Sequence, residues 1–219
     1  MTKQKVFAAP SIRRLPSYLH IIKQMRHDGC EFISGTLVAQ ELNLEPIQVR
    51  KDFSITGIIG KPKKGFPVDE LINAIERFLR WDTARNAVLV GTGNLGAALI
   101  GYPNFQFHGL HFIAAFDIDP RKIGQRIHDV PVLSANVMEI EIRGFAVKTA
   151  ILTVPSTQAQ GVADTLVKAG VEGIWNFTNV KLKVPDRVAV QNEDLSSGYA
   201  MLCIMMQTKS AEASLHEHH

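Results

Sequence analysis

The residues Gly91-Thr92-Gly93-Asn94-Leu95-Gly96 carry the spacing G-x-G-x-x-G. The three glycines serve different ends. Gly91 permits a tight turn, Gly93 lets backbone approach a ligand, and Gly96 lets a helix pack close to a strand. An apolar run over 87–90 leads directly into the turn, and Ala97, Ala98 and Leu99 continue it as a small-residue helix. The first N–H groups of such a helix, with the positive end of its dipole, suit a pyrophosphate. A second strand over 110–116 closes at Asp117, 21 residues after Gly96. A carboxylate there accepts hydrogen bonds from an adenosine ribose diol and repels a 2′-phosphate. The set points to a dinucleotide, NADH/NAD+ ahead of its 2′-phosphorylated form. Arg121 and Lys122 keep that second form open. A glycine turn in a nucleotide-free α/β domain is the weaker alternative in this context.

Ligands of open α/β sheets bind at the carboxyl ends of the strands. Thr153-Val154-Pro155 stands where a third strong run, over 147–154, meets a helix over 158–169. Asn176 and Phe177 end a further strand over 173–177. Both segments are candidates to line the nicotinamide side, with plain loop and core roles for Pro155 and Phe177 as equal alternatives. A hydride-transfer enzyme needs a positioned proton donor or acceptor. Tyr18, Tyr102 and Tyr199 have no lysine four residues on, and His108 and His111 only enter the second strand. No catalytic residue and no metal ligand set is assigned. One Rossmann unit uses nearly all the chain left after a first domain of about 80 residues, leaving little room for a substrate domain. Sensing is therefore favoured over a small NAD(P)-dependent oxidoreductase with a helical N-terminal appendage. A non-catalytic CoA- or nucleotide-binding domain of a larger assembly is a third reading.

The elements before the turn are helical. Leu15, Tyr18, Leu19, Ile22 and Met25 recur at helical spacing, and Gly29 offers a stop. Ser34 can cap a second helix carrying Leu37, Val38 and Leu42. Pro46 fits the first position of a third helix. Val49 and Phe53 share one face of it, while Gln48, Arg50 and Lys51 fall away from that face. Two short arms around the basic tip Lys61-Pro62-Lys63-Lys64-Gly65 would make a hairpin, and Asp69 can cap a fourth helix. Helix–helix–helix–hairpin is the winged-helix order, whose third helix enters the major groove. Ser34, Gln48, Arg50, Lys51, Lys61, Lys63 and Lys64 form the candidate DNA-contact set. Residues 1–64 hold 11 Lys+Arg against 5 Asp+Glu, and the remainder 13 against 16, so the anionic partner belongs to the first part. An ordinary helical subdomain with an exposed polar helix remains the alternative.

The expected organisation is α/β: a winged-helix domain over 1–80, a Rossmann-type parallel-sheet domain over 86–192, and a C-terminal apolar helix over 193–208. A tail over 209–219 follows, partly tag-like. Residues 195–206 are apolar nearly all round if helical, so that helix must be buried, best against a second subunit. A two-fold homodimer would suit a palindromic, AT-rich operator in double-stranded DNA. Of the 219 residues 46% are hydrophobic and 21% charged, which fits folded domains and excludes a disordered polyelectrolyte. Cys30 and Cys203 suggest neither a disulfide framework nor a metal site. With no signal-like or membrane-length apolar run, a cytoplasmic protein without a membrane partner is expected.

Several motifs occur in order: Val49-Arg50-Lys51-Asp52, the glycine turn, Gly101-Tyr102-Pro103-Asn104-Phe105, Phe116-Asp117-Ile118-Asp119-Pro120, Gly173-Ile174-Trp175-Asn176-Phe177, and Val188-Ala189-Val190-Gln191-Asn192-Glu193-Asp194-Leu195. Together they resemble the Rex family of bacterial redox-sensing transcriptional repressors, from about residue 11 to about residue 206. The resemblance implies a homodimer with domain-swapped C-terminal helices, bound to operator DNA when NADH is scarce and released when NADH binds. It implies that Arg50 and Lys51 lie on the DNA-reading helix, Tyr102 near the nicotinamide, and Asp194 at an intersubunit switch. The oxidised ring carries a positive charge that an apolar pocket penalises by desolvation. The sequence departs from the family at His20, where an arginine commonly pairs with the switch aspartate. A His20–Asp194 pair would be pH-dependent. It departs again at Ser54-Ile55-Thr56-Gly57, in the wing, and at Asn176-Phe177-Thr178-Asn179.

Overall fold

A computed structural model describes residues 9–216, those from 209 onward as backbone only. The chain divides into two compact units after Ala84. The first unit contains helix α1 (Ala9–His27), strand β1 (Phe32–Ile33), α2 (Gly35–Glu41), α3 (Pro46–Ser54), β2 (Phe66–Pro67) and α4 (Val68–Leu79). The helical periodicity has its physical result: Leu15, Tyr18, Leu19, Ile22, Val38, Val49, Phe53, Leu71 and Ile75 form one buried cluster. Phe53 packs edge-to-face on Tyr18 and Phe66, with ring centroids 5.6 and 5.1 Å apart. Local chemistry sets the boundaries. Gly29, at φ +83°, turns the chain after α1. The Ser34 hydroxyl accepts from the Leu37 N–H at 3.1 Å, and Pro46 opens α3.

Two details of this unit differ from expectation. The wing is not a hairpin with two arms of its own. Lys61 and Gly65 form a single bridge, and the second arm, β2, pairs antiparallel with β1. Gly65 sits so close to the Ile33 carbonyl that any Cβ would overlap it, which ties the tip to β1 instead of to residues 58–60. Asp69 does not cap α4: the cap position is Pro67, and Asp69 and Glu70 lie in the first turn, where the helix dipole favours them.

The second unit contains β3 (Arg85–Val90), α5 (Asn94–Ile100), α6 (Pro103–Phe107), β4 (Leu110–Asp117), β5 (Arg126–Ile127), β6 (Val130–Ser134), α7 (Met138–Phe145), β7 (Thr149–Leu152), α8 (Ala159–Lys168), β8 (Gly173–Asn176), β9 (Ala189–Asn192) and α9 (Leu195–His216). The strands form one seven-stranded sheet in the order β5-β6-β4-β3-β7-β8-β9, parallel except for the β5–β6 pair. Alternate residues of β3 serve opposite faces. Val88 and Val90 pack with Met138, Ile142 and Leu166 of α7 and α8. Ala87 and Leu89 pack with Ile100 of α5. The run over 147–154 is the fourth parallel strand in the chain, not the third. The strand before it, β6, is short and contains Pro131, so its pattern is weak. Strand order reverses on either side of β3, and Val90 stands level with both Phe116 and Leu152, so a crevice opens at these strand ends.

Helix α9 continues to His216, beyond the end expected at 208. The tag-like residues 217–219 and the side chains of 209–216 lie outside the described residues. Leu195, Tyr199, Met201, Leu202, Ile204, Met205 and Met206 are all at least half exposed. No helix among the described residues is long and apolar enough to cross a membrane.

Candidate functional site

Strand β3 delivers the glycine turn to the crevice. Gly91 adopts φ +95°, and a Cβ there would lie 2.8 Å from the Thr153 carbonyl oxygen. Gly96 is buried against Gly91, where a Cβ would overlap the Gly91 carbonyl. Gly93 precedes α5 and faces open space. One glycine turns, one packs, and one leaves room. The Thr153 hydroxyl donates to the carbonyls of Gly91 and Val90 at 2.7 and 3.1 Å, which latches the end of β7 to the turn.

Asp117 ends β4 beside the turn and is 8% exposed. Its Oδ2 accepts from the Thr92 backbone N–H (2.8 Å), the Thr92 hydroxyl and Lys122 Nζ (3.1 Å), while Oδ1 accepts from the Asp119 N–H at 2.9 Å. Burial pushes this carboxyl upward. The hydrogen bonds from Thr92, Asp119 and Lys122 override that and hold it well below the usual carboxylate range. Lys122 Nζ also donates to the Thr92 carbonyl at 3.0 Å. Arg121 turns away onto Asp119, with contacts of 2.8 and 3.0 Å. Both cations that left a 2′-phosphate open are therefore already engaged with carboxylates.

A cleft of about 400 Å³ lies at this point. It is lined by Val90, Gly91, Gly93, Phe116, Asp117, Ile118, Lys122, Ala135, Thr153, Val154, Pro155, Gln158 and Val162. Of the expected residues, the structure brings Gly91, Gly93, Asp117, Thr153, Val154 and Pro155 to this wall. Thr92 is buried and bonded to Asp117, and Asn94, Leu95 and Gly96 belong to the first turn of α5. Asn176 is fully buried and used elsewhere. Its amide donates to the Val180 carbonyl and Asn192 Oδ1, and its oxygen accepts from the Thr178 N–H and hydroxyl. Phe177 is half-buried at the end of a row of rings. Tyr102–Phe105, Phe105–Trp175 and Trp175–Phe177 centroids are 4.9, 5.4 and 5.0 Å apart. Sequence reasoning missed Ile118, Ala135, Gln158 and Val162. Their signal was adjacency: each follows a strand end or opens a helix at the crevice.

In the first unit, Asp52 of α3 is 2% exposed. It accepts from Arg14 Nε and a second guanidinium nitrogen at 2.7 and 3.0 Å, and from the Tyr18 hydroxyl at 2.7 Å. Burial pushes the Asp52 carboxyl up, but Arg14 and Tyr18 lower it overall. Tyr18 is pushed up to about 12 by burial and by Asp52. Gln48, with its amide oxygen toward Arg14, accepts at 2.8 and 3.2 Å. Ile47, Arg50, Lys51 and Ser54 form the exposed face of α3. Arg50 donates to the Thr36 hydroxyl at 3.2 Å. Lys61 and Lys64 hold their ammonium groups 5.4 and 5.5 Å from the Phe32 ring centroid, and Lys63 is exposed. Ser34 is exposed as well as capping. His20 is exposed on α1. In the second unit, Asp194 Oδ1 accepts from the Ser196 N–H at 2.9 Å and so caps α9. No cluster of His, Cys, Asp or Glu among the described residues could hold a metal ion.

A helical unit of winged-helix order, followed by a parallel-sheet unit with a glycine-turn crevice, defines a winged-helix–Rossmann protein. Residues 8–54 match the family model described as putative DNA-binding protein N-terminus, and residues 82–180 match that of a CoA binding domain. A redox-sensing transcriptional repressor Rex from Treponema denticola is 59% identical over 209 residues, covering 95% of this chain and all of the relative. RSP, solved with β-NAD+ and operator DNA, is 32% identical with a TM-score of 0.86 over 97% of this chain and 98% of its own. RSP solved with β-NADH is 31% identical with a TM-score of 0.85, over 97% of this chain and 100% of its own. The chain belongs to the Rex family of redox-sensing transcriptional repressors, which are regulators and not enzymes.

Proposed function

We propose that this chain is an NADH-responsive repressor that binds double-stranded operator DNA as a homodimer and leaves it when NADH enters the α/β unit. The cleft at the glycine turn carries the reading: open space at Gly93, a carboxylate and a lysine at the end of β4, and apolar walls from Ile118 and Val154. The similarity to RSP, solved with both redox forms and with operator DNA, supports it. In this reading, Gly93 and the start of α5 face the pyrophosphate. Asp117 Oδ1 and Lys122 hold the adenosine ribose, with Thr153, Val154 and Pro155 beside the cofactor. Tyr102 and Phe177 flank the nicotinamide. A bound dinucleotide supplies a ring that is neutral when reduced and positively charged when oxidised, and an apolar subsite disfavours the charged form.

The DNA side uses Arg50 and Lys51 on α3, with Ser34, Lys61, Lys63 and Lys64 on phosphates. Helix α9, which takes in most of the 193–208 segment expected for dimerisation, is the dimerisation helix, domain-swapped as in the family, and a second copy covers its apolar surface. Asp194, which caps that helix, takes His20 as its partner in the switch. Operator binding makes the cytoplasm the place of action.

A gel-shift titration against a palindromic AT-rich duplex tests the reading. NADH is expected to release the duplex at concentrations where NAD+ leaves it bound. Equal behaviour with both forms would sink the sensor.

A further inference from the structure

The exposed face of α3 holds one side chain that charge does not explain. Ile47 is 60% exposed beside Arg50, Lys51 and Ser54. Arg50 and Lys51 follow it by three and four residues, so all three share one patch of helix surface. Gln48, the next residue, is withdrawn: it is half-buried, and its amide oxygen is taken by Arg14 at 2.8 and 3.2 Å. A glutamine reads adenine by accepting and donating at once. With its oxygen occupied, Gln48 cannot do both. The first turn of α3 therefore presents Ile47 as its outermost large side chain.

The N-terminal residues of a recognition helix meet base edges in the major groove. The apolar group displayed on that floor is the thymine C5-methyl. An isoleucine side chain neither donates nor accepts hydrogen bonds, so it gains from a methyl and loses beside a polar edge. We propose that Ile47 reads a thymine C5-methyl in each operator half-site, and that Gln48 acts as the partner of Arg14 and not as a base reader. The inference rests on the DNA-binding reading above.

One experiment separates the two. The full-length protein, free of NADH, selects its inverted-repeat duplex from a random-sequence library. Each thymine of that duplex is then replaced in turn by deoxyuridine, which removes the methyl alone. At one position per half-site, deoxyuridine is expected to weaken binding about fourfold, and about fifteenfold when placed in both half-sites. Ile47→Ala, a surface change, is expected to bind the thymine and deoxyuridine duplexes alike. A flat deoxyuridine scan, or a methyl dependence that survives in Ile47→Ala, overturns the inference and leaves the repressor reading standing. Failure to select any duplex overturns both.

Discussion

Asp52 and Asp117 are two buried carboxylates, one in each unit, and each is held ionised by a cation and a hydroxyl. They differ in what surrounds them. Asp52 faces a planar guanidinium and a phenol, both from α1, and it is almost wholly buried between them. Arg14 cannot give up its charge and matches a carboxylate with two parallel donors. The clamp fixes α3 against α1, and with it the face that carries Ile47, Arg50 and Lys51. Asp117 is met mainly by backbone N–H groups, by the Thr92 hydroxyl and by Lys122, whose side chain is 37% exposed and borders the cleft. Lysine is a point charge on a flexible stem, and Asp117 Oδ1 holds a single donor. A closed carboxylate sets a rigid reading surface. An open one can exchange partners with a ligand, so the two units are suited to different halves of a switch.

The comparison can be broken at Asp52 first. Asp52→Ala strips the charged acceptor from the part-exposed Arg14 guanidinium and from the buried Tyr18 hydroxyl, and is expected to cost about 2–3 kcal/mol in denaturant unfolding of the full chain. Dinucleotide affinity should be untouched, and a loss below about 1 kcal/mol would mean that the clamp does not hold α3. The same clamp has an alkaline limit. Tyr18 ionises near 10 when unfolded but only at about 12 when folded, so its contribution is complete below pH 10 and fades as pH rises toward 12. Tyr18→Phe should flatten the stability profile across that window; an unchanged slope contradicts the assignment.

Asp117→Ala is the next largest change. Loss of the carboxylate that organises Thr92 and Lys122 is expected to lower dinucleotide affinity by about 30-fold, near 2 kcal/mol, in a chain that remains folded. Equal affinity by titration calorimetry would remove Asp117 from the ribose role. Lys51→Ala should weaken operator binding evenly across sequences and reduce the salt slope by about one. A base-specific loss would make Lys51 a reader instead. The smallest effect is expected at His20. His20→Arg should sharpen release by NADH by a few-fold, about 1 kcal/mol, and an identical dose–response curve would cut the link to Asp194.

The features that are legible in the sequence are those whose physics is local. The glycine turn, the Ser34 cap, Pro46 at the start of α3 and the buried stripes all depend on neighbours within a few residues. The clamp is not legible, because Tyr18 and Asp52 meet across 34 residues and Tyr18 reads as one more apolar-face residue. Two-residue strands have no period, so the pairing of β2 with β1 cannot be seen. Asn176 stands at a strand end and reads as a ligand contact. Its neighbours Thr178, Val180 and Asn192 instead consume its whole amide. Lys122 is a reasonable 2′-phosphate partner by position, and only the fold shows it committed to Asp117.

If NADH and operator DNA oppose one another on a single chain, linkage requires their coupling to be reciprocal. The direct measurement is the NADH dissociation constant of the full-length protein, read from nicotinamide fluorescence with and without saturating operator duplex. Operator should weaken NADH binding by the same factor by which NADH weakens operator binding. An NADH affinity that operator leaves unchanged would contradict the coupling, however tightly each ligand binds alone.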